Sequence, residues 1–273
     1  MKKPKILEDF SNFLLRKYQS KDTIKTYLAI CRKFIFKTHP DTIEKLTEIY
    51  LTNYLSSIRK SHYSISTYNQ YLAVLKLIYC ELLGQNKLKC ERSIKQFPRL
   101  KNLPSPKYVI EKINSIKNVK HKTILKTLLT TGIRMNELLN IKLCDIKRNS
   151  MQILITHAKG NRSEFVILTE SLLIQIEKYY RVYKPKKYLF EGVTEKKYSA
   201  SSVNKIVKKN IGNQYSAHWL RAIAITYLIN QKEPLHRTKL FSRHKSDKSI
   251  SWYYHYDKNT INEIRELMNE LAA

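Results

Sequence analysis

The chain has 273 residues, with 51 Lys and Arg against 22 Asp and Glu, for a formal net charge of +29. Hydrophobic residues make up 42%, enough to bury a core, while only 5 Gly and 7 Pro speak against a turn-rich all-β fold. No apolar run is long enough to span a bilayer, Cys31, Cys80, Cys90 and Cys144 show no Cys-x-x-Cys spacing, and this much positive charge is self-repelling unless a polyanion relieves it.

Nucleic acid is the polyanion that best fits such a charge. A lysine-rich bias from an A+T-rich coding sequence is the competing account, and an anionic membrane surface is a weaker rival. The cysteines read as reduced intracellular thiols rather than a zinc site or a disulfide framework. Met1-Lys2-Lys3-Pro4 leads into an amphipathic segment rather than an apolar one, so a cytoplasmic protein is expected.

The N-terminal part reads as about four helices. Ile6, Phe10, Phe13 and Leu14 recur at helical spacing. Ser20 is placed to cap a second helix carrying Ile24, Tyr27, Ile30 and Phe34. After Pro40, Asp41 followed three residues later by Glu44 has the pattern of a capping box, opening a third helix with Leu46, Tyr50, Leu51 and Leu55. A fourth runs from about Ser66 to Leu83 behind Tyr68, Tyr71, Leu72, Leu75 and Ile78, and Gly84 stops it. Lys21, Lys25, Arg32, Lys33, Arg59 and Lys60 fall on the polar faces, so residues 1–85 are expected to be a helical DNA-binding domain.

Residues 86–107 differ in texture, with Lys87, Lys89, Arg92, Lys95, Arg99, Lys101 and Lys107 among Pro98, Pro104 and Pro106. This is the composition of an extended basic linker, either a strap along a DNA backbone or a solvated connection. From Tyr108 helical patterning resumes. Leu125, Leu128 and Leu129 lead to a break at Gly132, before a helix holding Arg134 and Leu138. Met151, Ile153 and Ile155, then Phe165, Ile167 and Thr169, alternate on either side of a turn at Ala158-Lys159-Gly160-Asn161, which predicts a β-hairpin; Tyr188-Leu189-Phe190 is a candidate third strand. Helices are expected over about Glu170–Tyr183, Ser201–Lys209, Ala217–Asn230, Leu235–Arg243, Ser249–Tyr256 and Thr260–Leu271. The expected fold is mainly α with a small antiparallel β-sheet, an α+β arrangement in which 108–273 forms the second domain.

Five short segments carry groups suited to phosphate chemistry. In Thr131–Leu139, Arg134 opens a helix after a Gly break and Glu137 stands three residues on, placed to orient its guanidinium; a surface Arg/Glu pair is the bland alternative. Lys159 sits at the hairpin tip, placed to reach a groove or give a proton to a leaving oxygen. His218 and Arg221 lie at i and i+3 on one helix, beside core-like Leu220 and Ile223, where a structural His with a snorkelling Arg is the alternative. His244 follows Arg243, and Tyr253 lies in Ser251–Tyr256, with Tyr254 and Tyr256 as rivals among 19 tyrosines.

Together these segments resemble the tyrosine recombinase or phage-type integrase family, especially its Xer-like and mobile-element branch. The family box Thr-Gly-x-Arg-x-x-Glu-Leu-Leu matches Thr131–Leu139, followed by Asp145-Ile146. The hairpin Lys-Gly matches Lys159-Gly160, the His-x-Leu-Arg box matches His218–Arg221, and a late His with Tyr-x-His nine residues on matches His244, Tyr253 and His255. Val119–Lys122 and Lys184–Gly192 add to the likeness, which covers about residues 6–271. Some positions depart from the family pattern. Arg243 stands where Gly usually precedes the late His, Ala222 where a His often follows the second Arg, and Glu164 where the hairpin often has a second basic residue.

The resemblance implies a SAM-like core-binding domain, a catalytic domain and cleavage through a 3′-phosphotyrosyl bond to Tyr253. Arg134 and Arg221 would clamp the phosphate, His244 add a donor, His218 take the tyrosine proton, Lys159 protonate the leaving oxygen and Glu137 hold Arg134. No cofactor or metal is expected, because cationic side chains supply the positive charge. Lys101 and Lys107 in the linker, Arg162 in the hairpin and Arg243 are assigned to DNA contact. The expected partner is double-stranded DNA with a specific recombination site, bound by a homotetramer that is monomeric when free, with exchange through a Holliday junction. An accessory protein or partner recombinase and association with the nucleoid belong to the same expectation. The stripe Ile261, Ile264, Leu267 and Leu271 either docks on a neighbouring subunit or packs on its own domain. A catalytically silent or architectural DNA-binding protein of the same fold is the principal alternative; a nicking-type topoisomerase and a metal-dependent nuclease stand further off.

Overall fold

A computed structural model of the chain describes residues 5–18, 20–38, 46–85, 88–89, 103–158, 162–192 and 196–244. The chain divides into two compact units, Met1–Arg99 and Leu100–Ala273. The division falls within the basic segment 86–107.

In the first unit the helices begin where side-chain caps satisfy otherwise orphaned backbone N–H groups. Ser20 Oγ accepts from Thr23 N at 3.3 Å and opens the helix Lys21–Lys37. Thr47 Oγ1 accepts from Tyr50 N at 3.2 Å and opens Glu48–Lys60. The Asp41/Glu44 capping box lies outside the described residues, but Leu46 and Thr47 precede the helix, so the helix carrying Tyr50, Leu51 and Leu55 starts at Glu48 rather than at that box. Ser64 opens Ile65–Lys76, which continues into a π-helical turn over Leu77–Leu82, where a plain helix to Leu83 is expected from periodicity alone. Gly84, at φ 64°, follows it. Phe10, Leu14, Phe34, Leu51, Leu55, Leu72, Leu75 and Ile78 form the buried core.

The second unit is organised around the helix Val119–Thr131, which packs against Glu170–Tyr183 and Ala217–Asn230. Ile124, Leu125 and Leu128 are fully buried along it. Buried Thr123, Thr127 and Thr131 turn their hydroxyls back to the carbonyls of Val119, Thr123 and Thr127 at 2.6–2.7 Å, so no polar cost accumulates. The helix ends at Gly132, in the left-handed conformation at φ 58°. Ser105 caps the helix Pro106–Asn114, so Lys107 stands exposed in a helical first turn rather than in an extended linker.

The sheet consists of β1 (Ile146–Lys147), β2 (Gln152–Ala158) and β3 (Arg162–Ile167), antiparallel in that order. The third strand is therefore Ile146–Lys147, not the segment at Tyr188-Leu189-Phe190. There Tyr188 makes only an isolated bridge to Lys142, while Leu189 and Phe190 are buried in the core. The hairpin register also corrects the expected apolar face of β3. Ile153 stands opposite Val166 and Ile155 opposite Glu164. Side chains alternate with period two, so Glu164 and Val166 share a face, while Phe165 and Ile167 lie on the other, 53% and 51% exposed. The alternation was right in period and wrong by one residue in phase. The turn at 159–161 lies outside the described residues.

Candidate active site

Arg134 is the residue before the short helix Met135–Asn140. Its backbone N–H donates to Glu137 Oε2 at 2.8 Å, as in the reciprocal half of a capping box, and its Nη1 donates to Glu137 Oε1 at 2.9 Å. Glu137 is buried, whereas the Arg134 side chain is 34% exposed. The carboxylate therefore fixes the guanidinium from beneath and leaves its outer edge open. Burial alone would raise the Glu137 pKa. The Arg134 backbone N–H and the charge of Arg243, with hydrogen bonds from both arginine side chains, outweigh it and hold the group below the ordinary carboxylate value.

Arg221 lies on the helix Ala217–Asn230 and is only 2% exposed, so it is not a snorkelling surface residue. Nη1 donates to the Gly132 carbonyl and Nη2 to the Ser242 carbonyl. One guanidinium thus joins the loop before Arg134 to the end of the helix Leu235–Ser242, just before His244. Those bonds engage two of its five N–H groups. Gly132 is required here twice over. Its φ is left-handed, and a Cβ would meet the Phe241 ring at 2.8 Å.

His244 Nδ1 lies 2.9 Å from Ser242 Oγ. Burial, and then the charges of Arg221, Arg134, His218 and Arg243, push its pKa down to about 4, so the imidazole is neutral at neutral pH. Ser242 Oγ also donates to the Lys239 carbonyl at 3.3 Å, so this hydroxyl ties the imidazole to the last turn of its own helix. His218 lies exposed on the first turn of its helix, within electrostatic range of His244. An open groove of about 990 Å³ reaches His244 and Arg243 from the side of β3.

Arg243, assigned from sequence to DNA contact, is placed otherwise. Its side chain is 5% exposed, and Nη2 donates to Glu137 Oε2 at 2.7 Å. Its Nη1 lies 3.9 Å from Glu164 Oε2. Its carbonyl accepts from Arg134 Nη2 at 3.4 Å. A guanidinium shut in by two carboxylates does not present itself to a DNA backbone.

The structure therefore gathers Arg134, Glu137, Arg221, Arg243 and His244 in one place, with His218 within electrostatic range. Lys101, Lys159 and Tyr253 lie outside the described residues, as do the Arg162 side chain, the segment Ser249–Tyr256 and the helix expected at Thr260–Leu271. Sequence reasoning did not anticipate the roles of the Gly132 and Ser242 carbonyls or of the Ser242 hydroxyl, since backbone acceptors and a lone Ser leave no mark in a motif. Among the described residues, no group of three or more His, Cys, Asp or Glu is placed to hold a metal ion. Nor is any helix among them long and apolar enough to cross a membrane.

Residues 106–260, more than half of the chain, match the phage integrase family model, and residues 6–87 match the phage integrase N-terminal SAM-like domain. The chain belongs to the phage integrase family. It is a tyrosine recombinase, an enzyme that transfers DNA strands. It is 26% identical to the tyrosine recombinase XerA of Pyrococcus horikoshii, covering 97% of this chain and 93% of that protein. It is 27% identical to XerC of Caldanaerobacter subterraneus, covering 99% and 87%. In fold it resembles the XerH recombinase bound to its palindromic difH substrate, with a TM-score of 0.68 at 20% identity over 90% of this chain and 80% of that one. It also resembles lambda integrase in a tetramer on a Holliday junction, with a TM-score of 0.73 at 14% identity over 91% and 76%.

Proposed function

We propose that Tyr253 is the nucleophile of this recombinase and that Arg134, Arg221 and His244 form the cradle for the scissile phosphate. The observation that carries this reading is that two guanidinium groups and an imidazole meet at residues 242–244: Arg221 on the Gly132 and Ser242 carbonyls, Arg134 on the Arg243 carbonyl and His244 on the Ser242 hydroxyl. In the transition state negative charge builds on the non-bridging oxygens, and preorganised cations stabilise it without reorganisation. Arg134, held from beneath by Glu137, supplies a fork with an open edge. Arg221 supplies a fixed charge, and His244 a hydrogen bond. A tyrosine hydroxyl, with a pKa of about 10, is a weak nucleophile at neutral pH. His218 takes its proton as Oη bonds to phosphorus. The bond to the 5′-oxygen breaks, and Lys159 protonates that oxygen. The products are a 3′-phosphotyrosyl bond and a free 5′-hydroxyl. The ester energy is conserved in the enzyme bond, so no ATP is needed, and the cationic side chains supply the positive charge that a metal would otherwise give.

Double-stranded DNA with a specific site is the proposed substrate, contacted by residues 1–85 and by the second unit from the helix Pro106–Asn114 onward, on either side of a basic linker that ends before that helix. Lys101, Lys107 and Arg162 lie along its backbone. The active assembly is a homotetramer of chains that are monomeric when free, and strands exchange through a Holliday junction. An accessory or partner recombinase and a place at the nucleoid in the cytoplasm complete the reading. The test is a nicked suicide duplex carrying the site selected from a random-sequence pool. The parent protein forms a slow-migrating covalent complex and Tyr253→Phe forms none. An adduct that survives in Tyr253→Phe, or a parent that binds its selected site and never cuts it, refutes the assignment.

A further inference from the structure

We propose that Arg243 is a positioning residue for Arg134, and that Glu164 is its required counter-charge; the inference rests on the recombinase reading above. Glu137 has two oxygens and serves two arginines. Oε1 takes Arg134 Nη1, and Oε2 takes the Arg134 backbone N–H and Arg243 Nη2. The carbonyl of Arg243 in turn takes Arg134 Nη2. Arg243 therefore reaches Arg134 by two routes, through the shared carboxylate and through its own backbone.

The backbone route depends on an unusual conformation. Arg243 ends the helix Leu235–Ser242 at φ 52°, the left-handed region that a side chain rarely occupies. A left-handed Arg with a buried side chain persists only where its surroundings over-determine it. Glu137 alone does not supply that, because its one charge is divided between two cations. Glu164 supplies the second negative charge, 3.9 Å from Arg243 Nη1. The alternating register of β3 aims it to the same face as Val166, toward this cluster. The four side chains Arg134, Glu137, Arg243 and Glu164 then sum to zero charge. With Glu164 removed, two guanidinium groups share one buried carboxylate, and the one that can leave is Arg134, whose side chain is the more exposed.

The contact between Arg243 and Glu164 is also loose. Arg243 Nη1 and Nε and Glu164 Oε2 are buried, with no hydrogen-bond partner among the described residues. The pair therefore acts through charge at short range more than through a fixed bond. It links β3, which leads back to the hairpin carrying Lys159, to the backbone just before His244.

The experiment uses the full chain and the selected nicked duplex, with Arg243→Gly, Glu164→Lys, the double variant of both, and Arg243→Lys. Each is measured for single-turnover cleavage rate, duplex Kd and Tm. Glu164→Lys sets a third cation against the two arginines, and its cleavage rate falls about 100-fold, the size expected when a clamp residue is misplaced. Arg243→Gly falls about tenfold. The double variant cleaves no worse than Arg243→Gly alone, because the added cation no longer meets Arg243. Arg243→Lys, keeping the charge without the fork, lies between the parent and Arg243→Gly. Duplex Kd stays within about threefold throughout, and the rate losses do not follow Tm. Rates that multiply independently in the double variant, or losses that track Tm or Kd, overturn the proposal while leaving the recombinase reading intact. A parent that forms no adduct removes that reading and this one with it.

Discussion

Arg134 and Arg221 are given the same catalytic duty, yet the structure predicts that their removal is felt very differently by the fold. Arg221→Ala strips charged donors from the buried Gly132 and Ser242 carbonyls. Each buried acceptor left unsatisfied costs about 1–3 kcal/mol. Truncating one of the largest fully buried side chains adds a cavity. Taking a cation out of a buried site returns part of this, since its desolvation is no longer incurred. The net expectation is a loss of about 3–5 kcal/mol. A unit the size of Leu100–Ala273 shifts by about 2–4 °C per kcal/mol, so Tm falls by roughly 10 °C. Arg134→Ala removes a side chain that is 34% exposed and leaves Glu137 paired with Arg243 and with the backbone N–H of residue 134. A partly exposed pair of this kind contributes about 1 kcal/mol or less. Both variants lose covalent-complex formation. The assay is urea denaturation followed by far-UV circular dichroism, beside the suicide-duplex assay on the same preparations. If Arg221→Ala lies within 1 kcal/mol of the parent, or if Arg134→Ala is the more destabilised, the argument that Arg221 is a structural hub is wrong.

Gly132→Ala and Gly84→Ala form a matched comparison, because both glycines are left-handed but a Cβ at Gly84 meets nothing within 4 Å while one at Gly132 strikes the Phe241 ring. Gly84→Ala is expected to cost about 1 kcal/mol and Gly132→Ala about 2–3 kcal/mol, the latter falling to about 1 kcal/mol when measured in a Phe241→Ala background, all read by denaturant titration. Equal losses at the two sites would discount the ring contact. For pH, His244 titrates near 4 when folded against an ordinary value of 6.5, so the unfolded chain binds more protons between those limits. Stability then falls as pH drops from about 6.5 to 4, and the fall is complete below the folded value. Glu137, held low, contributes stability above its ordinary value and loses it on further acidification. Denaturation at stepped pH should show a shallower slope through this window in His244→Asn; an unchanged slope would assign the acid sensitivity elsewhere.

Much of this protein is legible without coordinates. The spans Glu170–Tyr183 and Ala217–Asn230 follow from apolar spacing, and Ser20 and Gly132 act as the cap and the break their residue types suggest. The pairing of Arg134 with Glu137 is local, three residues apart, and therefore visible in the motif. Errors appear where the deciding interaction is between distant residues. The phase of β3 depends on which residue Ile153 faces across the hairpin, and the third strand on a pairing of Ile146–Lys147 that two residues cannot announce.

Arg243 and Glu164 show the division most plainly. Read along the chain they are two unrelated departures from a family pattern, nearly eighty positions apart. In the fold they stand 3.9 Å from each other with Glu137 alongside. The sequence by itself determined most helices among the described residues, the charge and the order of the reactive groups, because periodicity, capping and motif spacing act over a few residues. Only the tertiary structure decided that Arg221 is buried on two backbone carbonyls and that Arg243 faces inward. Both depend on which distant carbonyl or carboxylate the packing brings within hydrogen-bond or ion-pair range.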